Sequence, residues 1–172
     1  MGNDTGAGKI SRRNSGRFSR PRACRGPPLQ QFQALESQVV TLIAHDTRKS
    51  EMMEFAAEHF DLLSRFAGRV ATGTTGTTGS QRNALAWSKG WPAQQAWVTC
   101  YQSGPLGGDA QIAELVLDKR CQKVIFFEEP HVARQHEADI QLLDHAVYSA
   151  GEFTTCFNTP EMTKRWARAV AR

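Results

Sequence analysis

Short apolar runs alternate with stretches of helical spacing through most of this chain. Residues 39–44 form an apolar run, as expected of a strand buried on both faces of a parallel sheet. From about Arg48 the apolar residues recur at helical spacing, which predicts a helix whose apolar stripe packs into the core. That stripe comprises Met52 or Met53, Ala56, Phe60, Leu63 and Phe66. Asp46 or Thr47 is the predicted cap of this helix.

Further strands and helices complete the predicted pattern. The strands cover residues 68–71, 96–101, 123–127 and 153–157, and the helices cover 81–87, 110–117, 140–148 and a last segment from Pro160. Residues 88–95 lack a clear pattern and are interpreted as part of a surface insertion spanning 77–95. Strands that alternate with helices predict an α/β fold with a five-stranded, mainly parallel sheet and helices on both faces. In such sheets ligands bind outside the carboxyl ends of the strands, where the polar clusters of this chain also fall.

The loop Ser103-Gly104-Pro105-Leu106-Gly107-Gly108-Asp109 follows the third predicted strand. Its glycines and proline exclude the interior of a helix or strand and predict a tight loop whose backbone can approach a ligand closely. Asp109 directly precedes a helical segment. It is therefore either the N-cap of that helix or a carboxylate that faces a binding site.

A second loop, from Thr72 to Gly79, consists only of threonine and glycine. Closely spaced N–H groups, hydroxyls and a following helix N-terminus suit a phosphate group, although such a loop is often an ordinary turn. The loop lacks the spacing of a nucleotide P-loop or of a dinucleotide-binding motif, so a small phosphorylated ligand fits better. Lys49 can supply the matching positive charge, or it is a solvated lysine at a helix start.

Acids and imidazoles are the remaining candidates for chemistry. They are Asp46, Asp109, Glu129, Asp139, His45 and His136. Carboxylates beside neutral imidazoles can move protons around a carbonyl, although a single histidine is more often structural. No metal-binding pattern is present, because the chain has no His-Glu-x-x-His motif and no cysteine cluster.

The net charge of +4 is unevenly distributed. Residues 1–30 hold seven basic residues and one acidic residue, whereas the remainder holds 14 basic and 16 acidic residues. Residues 1–36 are predicted to be a disordered basic extension of a folded domain over residues 37–172, because they contain too few apolar residues to form a core. A transit peptide, a misassigned start or a contact with a polyanion would explain the extension equally well. The slightly acidic body argues against nucleic-acid binding.

The compartment is predicted from hydropathy and cysteine usage. No apolar run is long enough for a transmembrane helix, and the N-terminus lacks the apolar core of a secretory signal. The four cysteines are widely spaced, which favours reduced thiols in a cytoplasmic protein. We therefore expect no membrane partner.

Four blocks of the chain resemble the methylglyoxal synthase family. They are Ala44-His45-Asp46-x-x-Lys49, Ala71-Thr72-Gly73-Thr74-Thr75-Gly76, the loop from Ser103 to Asp109, and Phe126-Phe127 followed by Pro130 and His136-x-x-Asp139. The blocks occur in the family's order and span roughly residues 38–160. The resemblance implies a three-layer α/β/α sandwich, usually assembled as a homohexamer. It also implies a lyase that converts dihydroxyacetone phosphate to methylglyoxal and inorganic phosphate without a metal or organic cofactor.

The same resemblance implies a role for each matching residue. Asp109 resembles the base that removes the carbon-bound proton, and His136 resembles the residue that contacts the carbonyl and hydroxyl oxygens of the substrate. The implied substrate-binding residues are His45, Lys49, Thr72, Gly73, Thr74, Thr75, Ser103, Gly104 and His136. Asp46, Glu129 and Asp139 are the implied supporting acids.

Some positions depart from the family's pattern. Glu129 stands where the family usually has Asp, Asp144 stands where an Arg is common, and extra residues lie between Thr75 and Ser103. A different class of function is also open, because the same fold serves as a regulatory domain that binds phosphorylated ligands. Such a domain would need the phosphate loop but not the combination of Asp109, His45 and His136.

Overall fold

The computed structural model describes residues 35–73, 75–129 and 137–171. The predicted basic extension, apart from residues 35 and 36, lies outside these ranges. Thr74 and His136 lie outside them as well.

The core of the fold is a five-stranded parallel sheet. Its strands are β1 (Val39–Ala44), β2 (Gly68–Thr72), β3 (Thr99–Tyr101), β4 (Lys123–Phe127) and β5 (Thr155–Phe157). Their spatial order is β3-β2-β1-β4-β5, and each neighbouring pair is parallel. β1 is thus the central strand, which explains why nearly all of it is apolar: it has helices above and below.

Six helices cover the two faces of this sheet in the described residues. They are α1 (Lys49–Glu58), α2 (Phe60–Ser64), α3 (Thr75–Ser88), α4 (Gly108–Leu117), α5 (Glu137–Ala150) and α6 (Pro160–Val170). Residues of α1, α2, α3 and α6 pack with Val40 and Leu42 in one core, whereas those of α4 and α5 pack with Ile43 in a second core. Because successive side chains of a strand point to opposite faces, β1 contributes to both cores. The predicted three-layer α/β/α sandwich is confirmed.

The first helical segment differs from its prediction in two ways. The apolar stripe is divided between two helices, because His59 leaves the helical conformation (φ −108°, ψ 28°) between α1 and α2, and the last residue of the stripe, Phe66, lies beyond the end of α2. The ring of His59 packs against Phe55 at a centroid distance of 4.8 Å. The predicted cap is also wrong: Asp46 and Thr47 lie in a short 3₁₀ turn, and α1 begins after Arg48 without a side-chain cap.

The starts of β3 and β5 differ from the predicted ones because side chains form hydrogen bonds near each strand start. β3 begins at Thr99 rather than at residue 96, because the N–H groups of Trp97 and Val98 donate to Asn83 Oδ1 at 2.7 and 3.2 Å. β5 begins at Thr155, after Thr154 Oγ1 donates to the carbonyl oxygen of Cys121 at 2.7 Å. The last helix starts at Pro160 as predicted, and Thr159 Oγ1 accepts a hydrogen bond from Met162 N.

α3 begins at Thr75, so residues 75–79 of the predicted threonine–glycine loop belong to a helix instead. The loop between β2 and α3 is therefore short, and the helix N-terminus lies directly after the strand. The positive end of the dipole of α3 therefore lies close to the end of β2.

Arg69 holds the end of the inserted segment onto the core. Its guanidinium is buried and donates to the carbonyl oxygens of Trp97 at 2.5 Å, Phe66 at 2.7 Å, Leu63 at 3.2 Å and Ser64 at 3.3 Å. It also lies over the ring of Trp91, 5.0 Å from the centroid. The predicted surface insertion over residues 77–95 is only partly correct: residues 77–88 belong to α3, where Arg82 and Ala86 are buried, and residues 92–95 are exposed.

None of the helices within the described ranges is long and apolar enough to cross a membrane.

Replacing Arg69 with methionine should destabilise the fold. The substitution removes the donor of four carbonyl groups, although the carbonyl oxygen of Leu63 still accepts from Phe66 N. Each buried carbonyl left without a donor costs about 1–3 kcal/mol, so we expect a loss of at least about 3 kcal/mol in the free energy of unfolding. Urea denaturation measures this loss directly. Arg65→Met is the matched control, because Arg65 is exposed and forms a surface ion pair with Glu36 at 3.3 Å, so its loss should cost less than about 1 kcal/mol. Equal effects of the two substitutions would contradict the role assigned to Arg69.

Candidate active site

The carboxyl ends of β1, β2 and β4 surround a small cavity of about 60 Å³. Its lining residues are Ile43, Ala44, His45, Asp46, Thr72, Gly104, Pro105, Asp109, Phe126 and Ile140. The structure thus brings together residues from all four blocks found in the sequence, the fourth represented by Phe126. One water molecule needs about 10–15 Å³ of such cavity volume, so this cavity has room for a few water molecules. That volume suits a small metabolite better than a nucleotide.

The glycine-rich loop adopts a compact conformation that depends on its glycines. The carbonyl oxygen of Ser103 accepts hydrogen bonds from the N–H groups of Leu106 and Gly108 at 2.9 and 3.0 Å. Gly107 has a φ of 87°, a conformation that side chains with a Cβ rarely adopt. A Cβ on Gly108 would lie 2.0 Å from the carbonyl oxygen of Gln102, so no side chain fits there.

This loop places Asp109 in the first turn of α4 with only 2% of its surface exposed. The N-cap of α4 is Gly107, so the hypothesis that Asp109 is the cap is wrong. The other hypothesis is in keeping with the structure, since Asp109 lines the cavity. The N-terminus of α4 favours a negative charge at this position.

The turn after β1 contributes His45, Asp46 and Lys49. The N–H of His45 donates to the carbonyl oxygen of Phe127 at 3.0 Å, which continues the pairing of β1 with β4 up to the cavity. Nδ1 of the His45 ring lies within hydrogen-bond distance of Thr47 Oγ1, at 3.1 Å. Lys49 Nζ lies 2.5 Å from Asp46 Oδ1, so the lysine is held by a carboxylate that lines the cavity. Lys49 itself does not line the cavity.

Only some of the described residues that were predicted to bind phosphate line the cavity. Thr72 lines the cavity, and α3 begins at Thr75. Gly73 is buried, and its N–H donates to the carbonyl oxygens of Tyr101 and Gln102, both at 3.2 Å. This N–H group is therefore bound within the protein. Ser103 is partly buried and does not line the cavity, whereas Gly104 does.

Arg48 is a site-proximal residue that the sequence reasoning missed. Its Nε and Nη2 both lie 3.1 Å from Glu129 Oε2, and its Nη1 lies 3.0 Å from Glu51 Oε2. Hydrogen bonding to Glu51, with the charge of Glu129, raises the pKa of Arg48. The pair joins the turn after β1 to the segment after β4. Nothing in the spacing of the sequence signalled it, because the two residues meet only when the strands are adjacent.

Glu129 and Asp139, the other predicted acids, do not line this cavity. Asp139 lies in the first turn of α5, and its neighbour Ile140 reaches the cavity. His136 lies outside the described residues, so its predicted role stays a prediction. Within residues 35–73, 75–129 and 137–171, no group of three or more His, Cys, Asp or Glu side chains is placed to hold a metal ion.

The chain is similar to methylglyoxal synthases in both sequence and structure. That of Thermus thermophilus is 39% identical over 104 residues, which cover 60% of this chain and 73% of the relative. That of Clostridium beijerinckii is 38% identical over 104 residues, covering 60% of this chain and 77% of the relative. The crystal structure of methylglyoxal synthase from Elizabethkingia anophelis matches with a TM-score of 0.57 and 26% identity, covering 78% of this chain and 79% of that one. No protein-family model matches the chain.

The close approach at Gly108 generates a stability prediction. Gly108→Ala must displace the backbone at Gln102 or the start of α4, so we expect a loss on the order of 3–5 kcal/mol in the free energy of unfolding. Gly107→Ala is the control, because a Cβ there meets open space and only the left-handed conformation costs about 1–2 kcal/mol. Urea denaturation compares the two variants. If Gly108→Ala were no worse than Gly107→Ala, the tight packing of this loop would be refuted.

Proposed function

The chain belongs to the methylglyoxal synthase family, and on that premise we propose that it is a lyase acting on dihydroxyacetone phosphate. The products are methylglyoxal and inorganic phosphate. The observation that carries this proposal is the buried position of Asp109 in a cavity of metabolite size, beside the N-terminus of α4.

Asp109 is the base of the proposed reaction. Its carboxylate removes a proton from the hydroxymethyl carbon of the substrate, and the electron pair of that C–H bond forms the enediolate. The hydroxyl proton then passes to the enediolate oxygen, and the electron pair of that O–H bond forms the C=O bond of the aldehyde. The C=C pair shifts to the bond with the phosphate-bearing carbon, and phosphate leaves with the electron pair of the broken C–O bond. The resulting enol takes a proton from solvent at that carbon and becomes methylglyoxal. A burial this deep supports the assignment, because a carboxylate shielded from water is held in one place against the C–H bond.

Oxygen and phosphate recognition are assigned to the neighbouring polar groups. His45 and Thr72 line the cavity with Asp109, and the N-terminus of α3 follows β2 directly, where a phosphate is favoured by the helix dipole. Lys49 acts with Asp46 at the edge of this site. By resemblance we also assign Thr74, Thr75, Ser103 and Gly104 to the phosphate and His136 to the substrate oxygens, with no cofactor. Glu129 and Asp139 are supporting acids in the same proposal.

The proposal also includes the oligomeric state, the cellular compartment and the role of the N-terminal extension. A homohexamer follows from the resemblance, and a cytoplasmic location follows from the wide cysteine spacing. A basic extension over residues 1–36 that is dispensable for activity follows from its composition.

Asp109→Asn tests the proposed base. The substitution keeps the shape of the side chain and removes its basicity, so methylglyoxal formation should fall by at least about 10²-fold. Colorimetric detection of methylglyoxal measures the rate. Inorganic phosphate should still raise the melting temperature of the variant, because a ligand that binds only the native state stabilises it.

Asp118→Asn is the matched control, since Asp118 is exposed at the other end of α4. Its rate should equal that of the parent. If Asp109→Asn kept the parent's rate, Asp109 would not be the base. A parent protein that binds phosphate but forms no methylglyoxal would favour a regulatory, non-catalytic domain.

A further inference from the structure

Arg82 is a buried cation that the proposed mechanism does not use. It lies on α3 with 2% of its surface exposed, and no residue of the described ranges is a hydrogen-bond partner of its Nε or Nη1. Burial lowers the pKa of Arg82 to about 10, which still leaves it charged at neutral pH. Arg69, also buried, donates instead to four carbonyl oxygens. A buried guanidinium with two nitrogens that have no hydrogen-bond partner in the described residues is costly, and an anion nearby would lower that cost.

The position of Arg82 indicates which anion. α3 begins at Thr75, directly behind the end of β2, and Arg82 is about 10 Å further along the helix axis. Side chains of a helix lean towards its N-terminus, which directs Arg82 back towards the strand end. Its charge also acts on Cys100: burial raises the pKa of that thiol, and Arg82 opposes the rise. Cys100 pairs with Ala71, the residue before the cavity residue Thr72.

The charge balance of the cavity points the same way. Asp109 and Asp46 both place a carboxylate at the cavity. The amino group of Lys49 forms an ion pair with the carboxylate of Asp46. A phosphate dianion that enters beside these acids needs positive charge nearby. A buried cation attracts an anion over several ångströms, because the protein interior screens charges less than water does.

We propose that Arg82 is the buried counter-charge of the phosphate site at the start of α3. The ligand chemistry is a phosphate group, carried either by the substrate or by inorganic phosphate. The inference rests on the proposed function for the substrate, but phosphate binding is measurable without turnover. The charge of Arg82 is thus tolerated in the core because it stabilises the bound state.

Arg82→Met, which keeps an unbranched chain and removes the charge, tests the proposal in the full chain. Calorimetry with inorganic phosphate should give a Kd at least about tenfold higher than the parent's, which corresponds to about 1.4 kcal/mol. The melting temperature without phosphate should not fall, because an unpaired buried charge has been removed. Arg82→Lys keeps the charge and should give an intermediate Kd. Arg120→Met removes an exposed arginine and should bind phosphate like the parent.

The KM for dihydroxyacetone phosphate distinguishes the two sources of phosphate. A parallel rise in KM assigns Arg82 to the substrate's phosphate, and an unchanged KM assigns it to inorganic phosphate alone. Phosphate binding that depends on Arg82 in a chain without lyase activity would leave this inference standing and overturn the proposed function. If Arg82→Met fails to fold, Arg82→Gln replaces it in the comparison with Arg82→Lys. Phosphate binding as tight as the parent's in the uncharged variant, or no binding by the parent, overturns the inference.

Discussion

The packing of Gly108 against the carbonyl of Gln102 is the constraint on which the site depends. Because no Cβ fits between them, the chain turns from β3 into α4 within a few residues. That turn buries Asp109 at the carboxyl edge of the sheet. Gly104, from the start of the same turn, lines the same cavity. The geometry of the backbone therefore determines where the carboxylate of Asp109 lies.

The parallel register of the sheet supplies the rest of the site. β1 pairs with β2 on one side and with β4 on the other, so the segments after these strands meet at one edge. The hydrogen bond from His45 N to the carbonyl oxygen of Phe127 extends that pairing to the rim of the cavity. Arg48 then joins the same two segments through Glu129. The rigid strands thus position polar groups that lie far apart in the sequence.

The sequence predicted those features that depend on local pattern. The apolar run of β1, the proline start of α6 and the polar clusters at strand ends all follow from residue type and spacing. Contacts between distant residues were not predictable in this way. The bonds of Asn83 that shorten β3, the carbonyl cluster around Arg69 and the Arg48–Glu129 pair form only after the helices pack on the sheet. The early start of α3 was missed because threonine and glycine are poor helix formers, so the residue types at this end of the helix did not indicate it.

The central claim is that this site removes a proton from carbon and then expels phosphate, and a labelled substrate tests it most directly. Dihydroxyacetone phosphate with deuterium at both positions of its hydroxymethyl carbon would be incubated with the full chain, against a protein-free control. The account predicts methylglyoxal that carries a single deuterium, on its aldehyde carbon, with an equal amount of inorganic phosphate. The absence of methylglyoxal, or methylglyoxal that retains both deuterium atoms, would contradict it.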